Sequence, residues 1–270
     1  MRPTGILFAI MLALAGCKED RMIQPLIPTG DRVILLEEFT GKGCTNCPKG
    51  SREIENLLAL YGDNLVVVSI HAGFFADPDF FPLGQYDLRT EEGEALFDYL
   101  GPNFGYPAGI VNRKEFNGFL QHGHTSWAAF IAEEIALAPQ VEFTIDRDFD
   151  PASRSLTIGI SGRSKADLDG ELRLNVMIVE SGIIDAQDDS EAGGIVEDYV
   201  HQHVLRGMAT VFDGDVIAQD PATGATFSGE YAIQIDEDWD AAMCDIVVFV
   251  TLLKGGKFEV LQAGHASVSG

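Results

Sequence analysis

EEFTGKGCTNCPKG, residues 37–50, sets two cysteines two residues apart between an apolar run and a segment with helical spacing. Upstream, Arg32 to Phe39 is short and apolar and reads as a buried strand. Downstream, Ile54, Leu57, Leu58 and Tyr61 fall on one helical face. Pro48 suits the first turn of that helix and Gly62 its end. Leu65-Val66-Val67-Val68-Ser69-Ile70 follows, an unbroken run expected of a parallel strand covered on both faces. The order is therefore strand, CxxC, helix, strand, with the cysteines at the carboxyl end of the first strand. A helix start stabilises an anion through its unpaired N–H groups and its dipole, and the thiolate is the reactive form of cysteine. Cys44 is expected at that position as the attacking thiolate. Cys47, one turn on and less exposed, is expected to resolve a mixed disulfide formed at Cys44. Two other readings of the pair stay open: a disulfide that only pins the helix start, and half of a metal site.

The segment from Phe74 to Tyr86 is long, polar and aromatic. Its Phe74, Phe75, Phe80 and Phe81 either fill a core or form a lip that grips apolar segments of a client protein. A helix is expected from Thr90 to Leu100, with Thr90 as N-cap and Glu91 and Glu92 in its first turn. Gly105 to Val111 reads as a turn entering a strand, and a further helix runs from about Ser126 to Leu137. Pro139 ends it and marks an expected domain boundary. From Gln140 the apolar period changes to two. VEFTIDRDF, SRSLTIGISG, ELRLNVMIVE, YVHQHVLRGM, EYAIQIDE, CDIVVFVTLL and FEVLQAGH are strand candidates divided by Gly, Asp and Pro turns. That pattern predicts an antiparallel β-sandwich of immunoglobulin-like type. The expected fold class is α/β plus all-β.

The chain of 270 residues carries a net charge of −24, which excludes nucleic acid and a basic lipid-docking surface as modes of binding. At the N-terminus a single Arg2 and an apolar stretch from Ile6 to Leu14 match a secretory signal. No other run is long enough to span a bilayer. An oxidising, extracytoplasmic compartment permits a Cys44–Cys47 disulfide, and Cys244, inside a strand-like run, reads as a small buried hydrophobe. His201 with His203 and His122 with His124 are HxH pairs that could hold zinc or copper, but no third ligand is fixed by spacing. Packing histidines, and no metal, is the expectation. Asp185, Asp188, Asp189 and Glu191 read as a solvated acidic loop rather than a calcium site.

From Glu38 through Cys47 the chain resembles a thioredoxin-fold active site without gaps. That resemblance implies a buried carboxylate at Glu38 that accepts a proton, and a cis-proline loop at Tyr106-Pro107 that presents a backbone edge to the substrate chain. The sequence departs from the pattern at Gly43, where an aromatic is usual, and at Thr45-Asn46 between the cysteines. Leu14-Ala15-Gly16-Cys17 resembles the lipobox of bacterial lipoproteins, which implies cleavage before a lipidated Cys17. Lys18-Glu19-Asp20 resembles a surface-sorting signal of Bacteroidota lipoproteins. With CTNCP, GYPAGIVNR at 105–113 and DYVHQHVLR at 198–206, the whole chain looks like the Omp28-related outer membrane protein family. The resemblance implies a signal peptide over 1–16, a lipidated tether over 17–31, a thioredoxin-like domain over 32–139 and a β-sandwich domain over 140–270. It further implies an outer-membrane, lipid-anchored protein facing the periplasm or the cell surface. Its partners would be extracytoplasmic protein clients or a surface protein, with no cofactor beyond the Cys44–Cys47 pair. A surface adhesion module that keeps the scaffold without turnover is the alternative.

Overall fold

Apolar runs of β-branched residues build the centre of the molecule. The computed structural model describes residues 31–101 and 105–270. The expected signal peptide, the lipobox, Cys17 and the tether up to residue 30 lie outside the described residues. Strand β1 (Ile34–Thr40) leads through the CxxC turn into helix α1 (Cys47–Tyr61) and then strand β2 (Leu65–His71). Helix α2 (Glu91–Leu100), strand β3 (Ala108–Val111) and helix α3 (Trp127–Ile135) follow. β1 pairs with β2 in parallel and with β3 antiparallel. Every residue of β1 and β2 is buried, as unbroken apolar runs demand. Thr90 caps α2 by accepting from the Gly93 amide at 2.9 Å.

Ten further strands complete the described chain: β4 (Val141–Asp150), β5 (Ser155–Ser164), β6 (Glu171–Glu180), β7 (Ile183–Asp189), β8 (Gly194–His201), β9 (Val204–Met208), β10 (Asp215–Gln219), β11 (Thr226–Gln234), β12 (Cys244–Lys254) and β13 (Lys257–Ser267). The result is a mixed α/β structure with mostly β content and several sheets. The largest is eight-stranded, in the order β13-β12-β6-β9-β2-β1-β3, with β10 beside β6. It therefore runs across the expected boundary at Pro139: the open edge of β2 is taken by β9, with Ser69 opposite Val204. One core mixes both halves, setting Phe39, Val68 and Ile70 against Met177, Val179 and Phe249. On the other face of β1 and β2, α1 and α3 cover Ile34, Leu36 and Val67. Each such fully buried side chain stabilises the fold by about 1.5–3 kcal/mol. The three-stranded sheet β11-β5-β4 packs on the β6–β12 region through Leu156, Ile158 and Ile160 against Leu174, Val176 and Val248.

Two strand expectations need correction. The run read as one strand, YVHQHVLRGM, breaks at Gln202-His203, where His203 takes a φ of 56°, so β8 and β9 belong to different sheets. The segment read as an acidic loop is strand β7, paired with β8 as a ribbon. Its alternation is inverted: Asp185, Gln187 and Asp189 point inward and Ile184 is exposed. An apolar-period reading cannot register a strand whose buried face is polar.

Candidate functional site

The turn after β1 closes on itself, the Cys44 amide donating to the Gly41 carbonyl at 3.0 Å and the Cys47 amide to the Cys44 carbonyl at 3.2 Å. Helix α1 begins at Cys47, with Pro48 in its first turn, where a missing N–H costs nothing. Cys44 thus precedes the helix rather than opening it, which corrects the expectation. Cys44 and Cys47 are joined in a disulfide, their Cα atoms 5.4 Å apart. Both are buried, at 3 % and 1 % exposure. Phe80 and Phe81 lie over Gly43: a Cβ there would stand 2.8 Å from the Phe80 ring, so an aromatic before Cys44 would have to displace Phe80.

Glu38, at 1 % exposure, lies under the first turns of α1. A Cβ on Gly50 would fall 2.4 Å from Glu38 Oε1 and 2.9 Å from Pro107 Cβ, so the carboxylate, the helix and the proline converge on that glycine. Ser69 Oγ donates to Glu38 Oε2 at 3.4 Å, and Oε1 has no hydrogen-bond partner among the described residues. Burial pushes the Glu38 carboxyl up to about 8, with the Ser69 hydroxyl opposing. Tyr106–Pro107 is a cis peptide. The Tyr106 hydroxyl donates to the Ala72 carbonyl at 2.6 Å, and its ring centre lies 5.4 Å from that of Phe75. The fold thus gathers Cys44, Cys47, Glu38, Tyr106 and Pro107 into one place.

The aromatic segment divides between the two readings given to it. Phe81 is buried, whereas Phe74 and Phe80, ring centres 4.0 Å apart, are 63 % and 44 % exposed beside the disulfide.

What sequence reasoning missed is the ribbon. β7 lies along the CxxC turn, with the Asp188 amide donating to the Lys42 carbonyl and the Ser190 amide to the Thr45 carbonyl, each at 2.9 Å. Gln187 Nε2 donates to the Cys44 carbonyl at 3.1 Å. Lys42 and Asp185 form a buried ion pair at 2.8 Å. Burial opposes ionisation of Asp185, but Lys42 and the Gln85 and Tyr86 amides hold its carboxyl below the usual range. A lysine between two glycines beside a CxxC was the only available signal. Asp189 pairs with Arg52 at 3.1 Å, so the acidic residues read as solvated meet cations of the first half.

The break after β8 separates His201 from His203, which a single strand would have kept on one face. His201 is buried with its ring 5.5 Å from that of His71, and His203 lies past the end of β8. Among the described residues no group of three or more His, Cys, Asp or Glu side chains is placed to hold a metal. Cys244 is buried and unpaired, and burial pushes its thiol up to about 12. No helix of the described residues is long and apolar enough to cross a membrane.

The family model for outer membrane protein Omp28 matches residues 94–269, a span that begins after the CxxC turn. HBP35 of Porphyromonas gingivalis superposes with a TM-score of 0.70 at 19 % identity, over 89 % of this chain and 76 % of that one. A domain of the outer membrane lipoprotein Omp28 from Porphyromonas gingivalis matches with a TM-score of 0.30 at 14 % identity, over 48 % of this chain and 88 % of that one. No curated protein matches the chain.

Proposed function

The chain belongs to the Omp28 outer membrane protein family, and from that premise we propose a lipid-anchored thiol–disulfide exchanger acting on extracytoplasmic protein clients. On this reading residues 32–139 act as a thioredoxin-like unit and 140–270 as an immunoglobulin-like β-sandwich fused to it through β2 and β9. Cys17 carries the lipid, and no cofactor is needed beyond the cysteines. Cys44 attacks the client, Cys47 resolves the mixed disulfide, Glu38 takes the Cys47 proton, and Tyr106-Pro107 presents the edge along which the client lies. The observation that carries the reading is the convergence of Glu38 and cis Pro107 on Gly50, one turn after the disulfide-bonded Cys47. A buried carboxyl with a midpoint near 8 is poised to exchange a proton at neutral pH.

A second reading, a binding or adhesion module with the disulfide as a staple, is favoured by the burial of both cysteines. A client sulfur reaches Cys44 only if the Phe80–Phe81 lip or the β7 ribbon moves. The reduction potential of the pair separates the two. An exchanger falls between about −120 and −270 mV and a structural disulfide below about −300 mV. A Cys47→Ser variant of the exchanger accumulates client proteins disulfide-linked through Cys44. A potential below about −300 mV with no trapped client would overturn the proposal.

A further inference from the structure

Glu38 lies opposite Ser69 and Thr40 opposite His71 in the β1–β2 register. Residues two apart on a strand share a face, so these polar side chains form one patch, continuing the face on which Ile34, Leu36 and Val67 are covered by helices. The β7–β8 ribbon brings Gln187, Tyr199 and His201 onto the patch, where they line a cavity of about 40 Å³. That volume accommodates water, which needs only about 10–15 Å³ by the same measure. Around it, Glu38 Oε1, both ring nitrogens of His71 and His201 Nε2 are buried with no hydrogen-bond partner among the described residues. Leaving one such group unsatisfied costs about 1–3 kcal/mol, and native proteins keep few of them. Stability does not account for several gathered on one cavity.

We infer that His71 and His201 form the outlet through which Glu38 exchanges its proton with solvent, water in the cavity linking carboxyl to imidazole. The inference rests on the exchange chemistry proposed above. In the resolving step the Cys47 thiol gives its proton to the Glu38 carboxylate. The Cys47 thiolate attacks Cys44 Sγ, the bond from Cys44 to the client sulfur breaks, the client leaves as a thiolate and the Cys44–Cys47 bond forms. The proton left on Glu38 must then depart before Glu38 can accept another, and Glu38, His71 and His201 are all buried.

His71 and His201 extend the polar patch from the carboxyl towards β8. The ring of His201 stands 5.5 Å from that of His71 and 4.9 Å from that of Tyr199, and its strand neighbours Val200 and Gln202 are exposed. A neutral imidazole accepts a proton at one nitrogen while donating from the other, as a relay requires. Burial holds both imidazoles neutral. His201, Lys42 and Arg206 reinforce this at His71, with Asp185 opposing. At His201 burial again comes first, Asp185 and the backbone of 185–186 oppose, Lys42 reinforces, and the midpoint falls to about 4. Glu55 of α1, Tyr199 of β8 and His203 also line the cavity. His71 and His201 act on the reaction through Glu38 and touch no client atom.

The test uses the full-length protein in detergent and the infrared carbonyl band of protonated Glu38, assigned by its loss in Glu38→Gln. After a pH jump across the Glu38 titration, the decay of this band reports proton departure and needs no client. In His71→Asn and His201→Gln the band keeps its amplitude and decays at least about tenfold more slowly, the low end of what a placed acid–base group supplies. Unchanged decay in both variants overturns the inference. Should His71→Asn lose the band through misfolding, His201→Gln decides alone. A staple-like potential with slowed decay would sink the exchanger and keep the relay. An exchanger-like potential with unchanged decay would do the reverse.

Discussion

Glu37 and Glu38 are consecutive on β1 and equally buried, yet strand alternation sends them to opposite faces and opposite situations. Glu37 accepts from Arg113 Nε at 2.8 Å and Nη2 at 2.7 Å, and that guanidinium lies 4.8 Å from the Phe249 ring centre. The pair ties β1 to the turn after β3 and to β12 of the second half. Asn112 and Arg113 in that turn both take a φ of 50°, a region costly for non-glycine residues. Their side chains hold them there: Asn112 Oδ1 accepts from the Leu35 amide at 2.9 Å while Arg113 is fixed by Glu37. Among the described residues Glu38 has a single hydroxyl at 3.4 Å and no cation. One face of the strand is built to hold a charge. The other is built to disfavour one, so that Glu38 binds a proton readily.

Removing Arg113 would put Glu37 in the position of Glu38, a buried carboxyl with no cation. Arg113→Ala leaves a fully buried carboxylate without its cation, and the expected loss is about 3–5 kcal/mol, read from denaturant unfolding. Replacing both partners with apolar residues of similar size, Glu37→Leu with Arg113→Met, should lose far less, because nothing charged is then stranded. A cost below about 1 kcal/mol for Arg113→Ala would mean that the pair is no better placed than a surface ion pair.

The next largest effect concerns Glu38 and pH. Its folded midpoint near 8 lies above the unfolded value near 4.5, so its contribution is complete below the unfolded value and is lost as pH rises towards 8. His201, depressed to about 4, acts with the opposite sign: its contribution is present above about 6.5 and lost as pH falls. Between pH about 6.5 and about 8 Glu38 acts without the histidine. Stability should fall there by about 2 kcal/mol, at 1.4 kcal/mol per pH unit. Glu38→Gln should flatten that stretch of the curve. A wild-type curve already flat between these values would mean that Glu38 is ionised in the fold, as a carboxylate with a cation would be.

How much of this contrast was legible in sequence depends on what carried the signal. β1, α1 and β2 were legible because few local structures besides a buried strand and an amphipathic helix produce an unbroken β-branched run and a four-residue apolar face. The convergence of Glu38, Cys47 and Pro107 came from resemblance, since no spacing brings position 107 under position 50. Ser69 and His71 could have been singled out as polar residues sharing one face of a buried strand. Ser69 is hidden inside the apolar run and His71 falls just past its end. The ribbon was illegible because its inward residues are Asp185, Gln187 and Asp189, satisfied by Lys42, Cys44 and Arg52 far away in the chain. Burial of polar groups follows from partners, and partners are a property of the fold.

The smallest effect tests how bare Glu38 really is. Ser69 Oγ is the one described donor to its carboxylate, and 3.4 Å is near the limit of a hydrogen bond. The hydroxyl favours the charged form, so removing it must raise the midpoint. At that length even a bond to a carboxylate is weak, so the gain is a few tenths of a pH unit or about 0.5 kcal/mol. Ser69→Ala should therefore leave stability below pH 6 unchanged within error and carry the decline on the alkaline side slightly past 8, as followed by the infrared titration of Glu38. A rise of a full unit would show that Ser69 solvates the carboxylate much as Arg113 solvates Glu37, and the two faces would then differ in degree only. A rise of a few tenths leaves burial as the main cause, with the Glu38 proton held by the absence of any partner strong enough to replace it.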